Sequence, residues 1–379
     1  MFDYETLKII WWGFVGVLLI GFALMDGFDF GVGILLPFVG KTDVERRIMI
    51  NTIGPTWEGN QTWFITAGGA LFAAWPLAYA AAFSGFYVAL MLLLFSLFFR
   101  PVGFDYRSKI AAPRWRSSWD WALFIGGFVP PLIFGVAFGN LLLGVPFHYD
   151  DTMRLEYIGG FLDLLNPFGL LAGVLSVAML TMHGAAFLRT KTDGVVAQRA
   201  GMGLIIAAVV TVLAFAAGGA WVALGIDGFK IIAMPDANSA FMPVLKTVER
   251  ARGAWMDNYA RWPVMWALPA AGFAGALFCI VFTLAQRAIA AFMCSGLAVT
   301  GIILTAGASM FPFVMPSSLD PNSSLTAWDV VASHKSLGIM FWVVVFFLPV
   351  IIVYTGWIYR VMRGKVDEAH IQANEHSAY

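Results

Sequence analysis

The chain has 379 residues, of which 60% are hydrophobic and 12% are charged. So little polar surface excludes a soluble globule of this size and indicates an integral membrane protein. Lysine plus arginine and aspartate plus glutamate each total 23, so no cationic excess suggests a nucleic-acid partner. Cys279 and Cys294 lie in apolar runs without a paired motif, and we expect the long first apolar run to stay in the mature protein.

Nine apolar runs are long enough to cross a bilayer as helices, which takes roughly 20 residues because unpaired backbone groups cannot lie in hydrocarbon. The second run is the weakest, since Glu58, Asn60 and Gln61 lie in its first third. Without an internal repeat or a low-complexity tract, the sequence predicts an all-α protein with a single membrane domain over residues 1–379. The runs cover residues 9–35, 53–74, 79–99, 121–143, 168–188, 203–224, 264–285, 288–313 and 337–358.

Lysine and arginine indicate the orientation, because they accumulate on the cytoplasmic side of membrane proteins. The segments that follow predicted helices 1, 3, 5, 7 and 9 contain 15 of these residues, and the segments on the other side contain 8. The sequence therefore predicts that the N-terminus lies outside and the C-terminus inside.

Acidic residues interrupt the first predicted helix in the stretch MDGFDFGVG. Asp26 and Asp29 are three residues apart, so they share one helix face toward the cytoplasmic end. The second helix begins with GPTWEGNQTW, the third ends with FFRPVGFDYR and the fourth begins near an acid. These segments bring four more charged residues to a similar depth: Glu58, Arg100, Asp105 and Asp120.

Placing an ionised acid at mid-membrane costs about 2.5 to 3.5 kcal/mol of insertion free energy, so some interaction must offset the cost of this cluster. In one interpretation Arg100 neutralises an acid and locks the first three helices together. In a second, crowded carboxylates in a low dielectric hold or relay protons. In a third, Arg100 is the centre of a site for an anion or a headgroup.

Long blocks of the sequence closely resemble subunit II of the bacterial cytochrome bd-type ubiquinol oxidases. The likeness runs over residues 1–379, which makes a chance match very improbable. The blocks include WWGFVGVLLIGFALMDGFDFGVG, ERRIMINTIGPTWEGNQTWFITAGGALFAAWP, AAAFSGFYVALMLLLFSLFFRPVGFDYRSK, VPPLIFGVAFGNLLLGVPF, LLNPFGLLAGVLSV and FPFVMPSSLDPNSSLTAWD.

The resemblance implies nine transmembrane helices, arranged as two four-helix bundles plus one peripheral helix, in the bacterial inner membrane with a periplasmic N-terminus. It also implies a partner subunit I that ligates two hemes b and one heme d, and a small single-helix subunit. Such a complex oxidises ubiquinol and reduces dioxygen to water, which generates a proton-motive force. A structural ubiquinone is a further implied ligand.

The histidines agree with this division of labour, because a membrane heme b needs an axial ligand within the helices, usually histidine. His183 is the only histidine in a predicted helix, and the others fall in predicted loops or the tail: His148, His334, His370 and His376. We predict a polar contact between His183 and a neighbouring helix, and no heme or metal ligand in this chain.

The resemblance associates the acid after GPTW with a cytoplasmic proton path toward subunit I. That acid is Glu58 here, and aspartate is common at this position in the family, so the carboxylate is kept with one more methylene. Glu58 is the first proton-path candidate, ahead of Asp29, Asp26 and Asp105.

Two further roles are implied for this region. Asp29 and Arg100, with Trp57 beside them, resemble positions that line a bound quinone or lipid headgroup, and that role is structural. Trp57 and Trp63 flank Glu58, and aromatic packing is one interpretation of both. The alternative is that Trp63 lines a hydrophobic passage for oxygen.

Other polar and proline residues have structural expectations. Asn140 and Asn166 are predicted to form hydrogen bonds between helices, and Pro130–Pro131 and Pro312 to bend the fourth and eighth helices. Two rival functions remain open. A proton-coupled transporter would use the buried acids and Arg100 but predicts an inverted repeat, and an architectural subunit would only stabilise subunit I.

Overall fold

The computed structural model describes residues 2–373 and 379, so His376 of the predicted tail lies outside the described residues. The fold is mostly helical, at 75%. The helices of the described residues are α1 (Tyr4–Val39), α2 (Asp43–Ile53), α3 (Trp57–Ala74), α4 (Pro76–Gly85), α5 (Tyr87–Leu97), α6 (Phe99–Tyr106), α7 (Pro113–Leu143), α8 (Pro167–Lys191), α9 (Gly194–Leu224), α10 (Asp257–Arg261), α11 (Ala267–Leu284), α12 (Ala288–Met310), α13 (His334–Val361) and α14 (Glu368–Ala373).

Three short antiparallel hairpins complete the fold. β1 pairs with β2, β3 with β4 and β5 with β6. In the longest hairpin Asp227 lies opposite Arg252 and Ala233 opposite Thr247. The strands are β1 (Phe147–Tyr149), β2 (Leu155–Tyr157), β3 (Asp227–Ala233), β4 (Thr247–Arg252), β5 (Phe313–Met315) and β6 (Leu325–Thr326).

Eight helical stretches of the described residues are long and apolar enough to cross a membrane. Six of them are single helices, and the other two each join a helix to neighbouring helical segments. Helices α3 and α4 reach this length only as a pair, which bends by 119° at its break. The eight stretches are α1, Tyr87–Lys109, α7, α8, α9, Pro263–Leu284, α12 and α13.

The structure differs from three sequence-based expectations. The predicted helix over residues 79–99 is divided, because α4 ends at Gly85 and α5 begins at Tyr87. The predicted helix over residues 53–74 begins only at Trp57. Pro312 does not bend the eighth helix, and that expectation is wrong: α12 ends at Met310, and Pro312, which has no N–H to continue the helix, leads into β5. Pro130 and Pro131 do lie inside α7.

The bundle has two chemically different ends, which we name the loop face and the α2 face. The loop face holds the hairpins and the start of α1, where Lys8 Nζ donates to the carbonyl oxygens of Ala237 (2.7 Å) and Ser239 (3.0 Å). The α2 face holds α2 and the junction of α8 and α9. The backbone N of Val366 donates to Lys191 O at that junction (2.8 Å), so α1 and α13 both run from the loop face to the α2 face.

A buried ion pair stabilises the loop face, and sequence reasoning missed it. Lys246 Nζ lies 2.9 Å from Asp329 Oδ2, and both side chains are fully buried. Burial lowers the pKa of Lys246, and the Asp329 carboxylate opposes that effect. Asp329 also accepts hydrogen bonds from the backbone N and the hydroxyl of Thr326, at 2.8 and 2.7 Å. The pair therefore joins the segment after β3 to the segment after β6.

Glycines bring the acidic stretch of α1 close to two other helices. A Cβ on Gly31 would lie 2.9 Å from the Cα of Gly184 in α8, and a Cβ on Gly33 would lie 3.2 Å from Leu123 O in α7. Only small residues permit such an approach between membrane helices. The segment that contains Asp29 is therefore held between α7 and α8.

Candidate functional site

The centre of the site is an ion pair buried between α1 and α6. Arg100 Nη1 donates to Asp26 Oδ2 (2.9 Å) and Nη2 donates to Asp26 Oδ1 (2.5 Å). Asp29 Oδ2 lies farther away, 3.9 Å from Arg100 Nη2. All three residues are at most 2% exposed. One guanidinium thus faces two carboxylates, and its two terminal nitrogens are committed to the first of them.

Aromatic rings enclose the guanidinium. The Arg100 Cζ atom lies 4.4 Å from the ring centroid of Phe30 and 5.5 Å from that of Trp57. The Trp57 ring in turn contacts Phe104, with 5.2 Å between centroids. The two rings lie within cation–π distance of the guanidinium and add to its stabilisation.

Asp29 has different partners from Asp26. Its Oδ2 accepts from Asn60 Nδ2 in α3 (2.7 Å), and Asn60 Oδ1 accepts from the Tyr359 hydroxyl in α13 (2.6 Å). Its Oδ1 is buried without a hydrogen-bond partner among the described residues. Sequence reasoning did not assign Asn60 or Tyr359 to the site. Asn60 was visible as a polar residue in the GPTWEGNQTW segment, but no sequence signal linked it to Tyr359.

A cavity of about 10 Å³ adjoins Asp29 and Arg100. Its other lining residues are apolar or glycine, among them Val32, Ile50 and Phe104. This volume is the space that one water molecule needs. The cavity therefore has room for a single polar guest beside the cluster.

Glu58 and Asp105 do not join the buried cluster. Both are exposed residues on the α2 face. They lie close to Tyr379, where burial raises the pKa of the phenol and the two carboxylates add to that shift. The predicted layer of charges thus consists of a buried part, with Asp26, Asp29 and Arg100, and an exposed part.

Asp120 belongs to a second ionic cluster on the α2 face. It accepts from Arg107 Nε (2.5 Å) and from Arg46 Nη1 (2.7 Å). Asp43 accepts from Arg107 Nη2 (3.0 Å) and from Arg116 Nη1 (2.5 Å). These contacts join α2 to α7. Among the described residues, no recorded hydrogen bond or ion pair links this cluster to Asp26, Asp29 or Arg100.

His183 contacts two neighbouring helices, which confirms the predicted polar contact. Its Nδ1 lies 2.8 Å from Ser295 Oγ in α12 and its Nε2 lies 3.0 Å from Leu24 O in α1. The ring stacks on Phe292 with 4.9 Å between centroids. Both ring nitrogens are therefore engaged. In the described part of the chain, no three His, Cys, Asp or Glu side chains form a group suited to a metal ion.

An apolar chamber of about 540 Å³ lies among α1, α7, α8, α9, α11 and α12. Phenylalanines line much of it, and its few polar groups include Tyr259 and Ser309. The Tyr259 hydroxyl is already bonded to Thr305 O (3.1 Å). Trp63 is half-buried outside this lining and packs on Gly21, where any Cβ would collide with the indole.

The predicted amide contact between helices is confirmed. Asn166 Nδ2 donates to Asn140 Oδ1 in α7 (2.8 Å), and Asn166 Oδ1 accepts from Gly169 N (2.8 Å) as the N-cap of α8. Asn140 Nδ2 donates to Leu164 O (2.8 Å). The two amides thus join α7 to the start of α8.

The fold and the buried cluster define a polytopic helical membrane protein with an ionic site near one end. Residues 7–362 match the family described as cytochrome bd terminal oxidase subunit II. The chain is 55% identical to the cytochrome bd-I ubiquinol oxidase subunit 2 of Escherichia coli K12, over 100% of both chains. It is 32% identical to the cytochrome bd ubiquinol oxidase subunit 2 of Bacillus subtilis, over 96% of this chain and 97% of that one.

A solved structure has the same fold. The bd oxidase of Geobacillus thermodenitrificans matches with a TM-score of 0.70 and 12% identity, over 95% of this chain and 98% of that chain. The chain belongs to the cytochrome bd terminal oxidase subunit II family. It is therefore an integral inner-membrane protein and one subunit of an oxidoreductase complex of respiratory electron transport, with a subunit I as its partner.

Proposed function

We propose that this chain is a heme-free subunit that supports subunit I and supplies part of a proton path from the cytoplasm. The complex oxidises ubiquinol and reduces dioxygen to water, with two hemes b and one heme d on subunit I, and generates a proton-motive force. The observation that carries the proton path is the charge imbalance of the buried cluster, in which Arg100 faces both Asp26 and Asp29. The engaged ring nitrogens of His183 support the absence of a heme ligand.

The proposed architecture has nine membrane crossings. The nine comprise the eight apolar stretches and α3, whose end at Ala74 O accepts from Ala332 N at the loop face (2.8 Å). Helices α1, α3, α5 and α7 form one bundle, and α8, α9, α11 and α12 the other. Contacts between α8 and α9, α11 and α12, α8 and α12, and α9 and α11 support the second bundle. Helix α13 is peripheral, since only 11% of its apolar window is buried.

In the proposed orientation the α2 face is cytoplasmic and the N-terminus is periplasmic. The segments that follow predicted runs 1, 3, 5, 7 and 9 contain 15 lysine and arginine residues, and this excess favours the assignment. Glu58 and Asp105 then face the cytoplasm, which supplies the protons for dioxygen reduction. Glu58 lies in the first turn of α3, where the helix dipole stabilises a negative charge.

The geometry favours a proton role over a headgroup role for Arg100, Asp29 and Trp57. The cavity beside Arg100 and Asp29 measures about 10 Å³, which is room for one water and too small for a quinone or lipid headgroup. A bound ubiquinone fits the apolar chamber better, because the chamber has a volume of about 540 Å³ and can hold part of an isoprenoid tail. The oxygen passage at Trp63 and the small single-helix subunit stay predictions from the family resemblance.

The Glu58→Gln variant of the purified complex tests the proton path. The amide keeps the size of the side chain but cannot carry a proton, so we expect unchanged heme content and a roughly tenfold lower oxygen consumption, about 1.4 kcal/mol in barrier. Glu58→Asp should retain most of the activity. Glu249→Gln, a change at an exposed residue of β4 on the loop face, is the matched control.

The other outcomes of this experiment separate the rival functions. Full turnover of the Glu58→Gln complex would contradict the proton path. Loss of all heme would favour a purely architectural subunit. A proton-coupled transporter predicts activity from this chain alone, whereas the chain's full-length relatives are oxidase subunits.

A further inference from the structure

Asn60 and Tyr359 form a directed hydrogen-bond chain that ends on Asp29. The phenol O–H donates to the amide oxygen, which orients the amide so that its NH₂ group, which can only donate, faces the carboxylate. The sequence of donors is therefore Tyr359 to Asn60 to Asp29, with distances of 2.6 and 2.7 Å. The chain joins α13, the peripheral helix, to the acid in α1.

This chain positions Asp29 but does not deliver a proton to it. The amide nitrogen of Asn60 does not release its hydrogens at ordinary pH, so Oδ2 of Asp29 is occupied by a fixed donor. The other oxygen, Oδ1, is buried and has no hydrogen-bond partner among the described residues. Oδ1 is therefore the oxygen of Asp29 that has no competing hydrogen bond when a proton is exchanged.

The cavity beside Asp29 is the place where such an exchange can occur. It measures about 10 Å³, and Asp29 and Arg100 supply its polar walls. A water molecule in a protein interior needs two or more polar partners, and these two side chains meet that need. Ile50, Ile53 and Phe104 form an apolar wall on the α2 side, and the cavity has room for one water.

Charge balance favours a proton on this carboxyl group. The charged and titratable groups that face Asp29 are Asp26 on its own helix, Arg100 on α6 and, through Asn60, Tyr359 on α13. Two carboxylates face one guanidinium, so the buried cluster carries a net charge of −1 when both acids are ionised. One added proton makes the cluster neutral.

We propose that Asp29 exchanges a proton at Oδ1 with a single water bound between Asp29 and Arg100, and that Asn60 and Tyr359 are positioning residues for this step. The water site takes a hydrated proton. An O–H bond forms at Oδ1 as an O–H bond of the hydrated proton breaks, a neutral water remains, and no electron moves. The proposal rests on the proton-path function above and assigns its internal station.

Infrared difference spectra of the purified complex between acidic and alkaline pH test the proposal. The wild-type complex should show the carbonyl band of a protonated carboxylic acid, and Asp29→Asn should remove it. Tyr359→Phe deletes only the hydroxyl that polarises Asn60. This weakens the donor to Asp29 and should raise the pH at which the band disappears by about half a pH unit.

Two further variants keep the test decisive. Asn60→Leu removes the donor itself and should shift the band more than Tyr359→Phe does. Tyr354→Phe is the matched control, because Tyr354 lies on the same helix and is 58% exposed. Heme content should stay at the wild-type level in each complex that is compared.

Three results would overturn the inference: an Asp29→Asn complex that keeps every carboxylic acid band, a Tyr359→Phe complex identical to wild type, or an equal effect of Tyr354→Phe. Failure of the proposed function is a separate result. If Glu58→Gln retains full turnover while Tyr359→Phe still shifts the Asp29 band, the station at Asp29 stands and the route through Glu58 does not.

Discussion

Arg100 is the one cation that pairs with both buried acids of α1 among the described residues, and its removal should cost more than the removal of either acid. Arg100→Gln leaves Asp26 and Asp29 buried without a cation. Breaking a buried pair in this way costs about 3 to 5 kcal/mol. In Asp26→Asn, by contrast, Arg100 can turn to Asp29, which already lies 3.9 Å away. We therefore expect Arg100→Gln to lower the melting temperature of the complex more than Asp26→Asn does.

The melting temperature, followed by heme absorbance, measures this difference. Arg116→Gln is the control, because its pair with Asp43 is half-exposed and such pairs contribute about 0 to 1 kcal/mol. Equal melting temperatures for Arg100→Gln and Asp26→Asn would contradict the larger cost expected for loss of the cation.

At the residue scale, the sequence predicted which acids share a helix face and which residue of opposite charge lies near them. The spacing of Asp26 and Asp29 placed both on one face, and Arg100 was the one cation close to their depth. It did not predict that Asp29 pairs with Asn60 and Tyr359, since the latter is 299 residues from Asn60. Tertiary packing alone creates that contact.

The N-cap residue of α8 also forms a hydrogen bond to α7. Asn166 caps α8 through Gly169 N and donates to Asn140 in α7. Asn166→Ala removes both interactions and leaves Asn140 Oδ1 without this donor. Loss of an N-cap costs about 0.5 to 2 kcal/mol and loss of a buried partner about 1 to 3 kcal/mol, so we expect a clear fall in melting temperature.

Asn166→Asp separates the two contributions. The carboxylate keeps the cap and the favourable charge at the helix N-terminus, but it cannot donate to Asn140. Its melting temperature should lie between those of wild type and Asn166→Ala. If Asn166→Asp is as unstable as Asn166→Ala, the cap contributes nothing and the amide contact accounts for the whole effect.

At the element scale, hydropathy predicted the existence of the helices better than their breaks. The gap between the predicted runs 53–74 and 79–99 contains Trp75–Pro76, where proline cannot continue the preceding helix. It did not predict the 119° bend or the separate helix α4, which packs on β2 and β5 at the loop face. Helix α2 was also missed. Its capping box, in which Thr42 and Glu45 each accept from the backbone of the other, was present in the sequence.

At the scale of the whole molecule, the two faces differ in their charged residues and in their secondary structure. The α2 face collects the two ionic clusters, whereas the loop face closes with hairpins and the buried pair of Lys246 and Asp329. The charge count predicted this asymmetry, because short cationic segments are sequence-local features. The way in which the hairpins cover the loop face depends on contacts between distant segments, which hydropathy does not encode.

The orientation of the two faces can be measured with single cysteines. Asp151 is exposed on the loop face and Ser117 is exposed on the α2 face. If the loop face is periplasmic, a membrane-impermeant maleimide should label Asp151→Cys in intact spheroplasts and should label Ser117→Cys only after the membrane is broken. The native cysteines give a low background, because Cys279 is buried, Cys294 is half-buried and both lie inside membrane helices.

The unsubstituted chain, treated in the same way, measures that background. Reversed labelling would place Glu58 and Asp105 in the periplasm, away from the side that supplies protons for dioxygen reduction. The proton path would then fail for a reason of geometry, whatever the turnover of the Glu58→Gln complex. Labelling as expected would instead make the α2 face the cytoplasmic surface through which protons reach the buried cluster of α1.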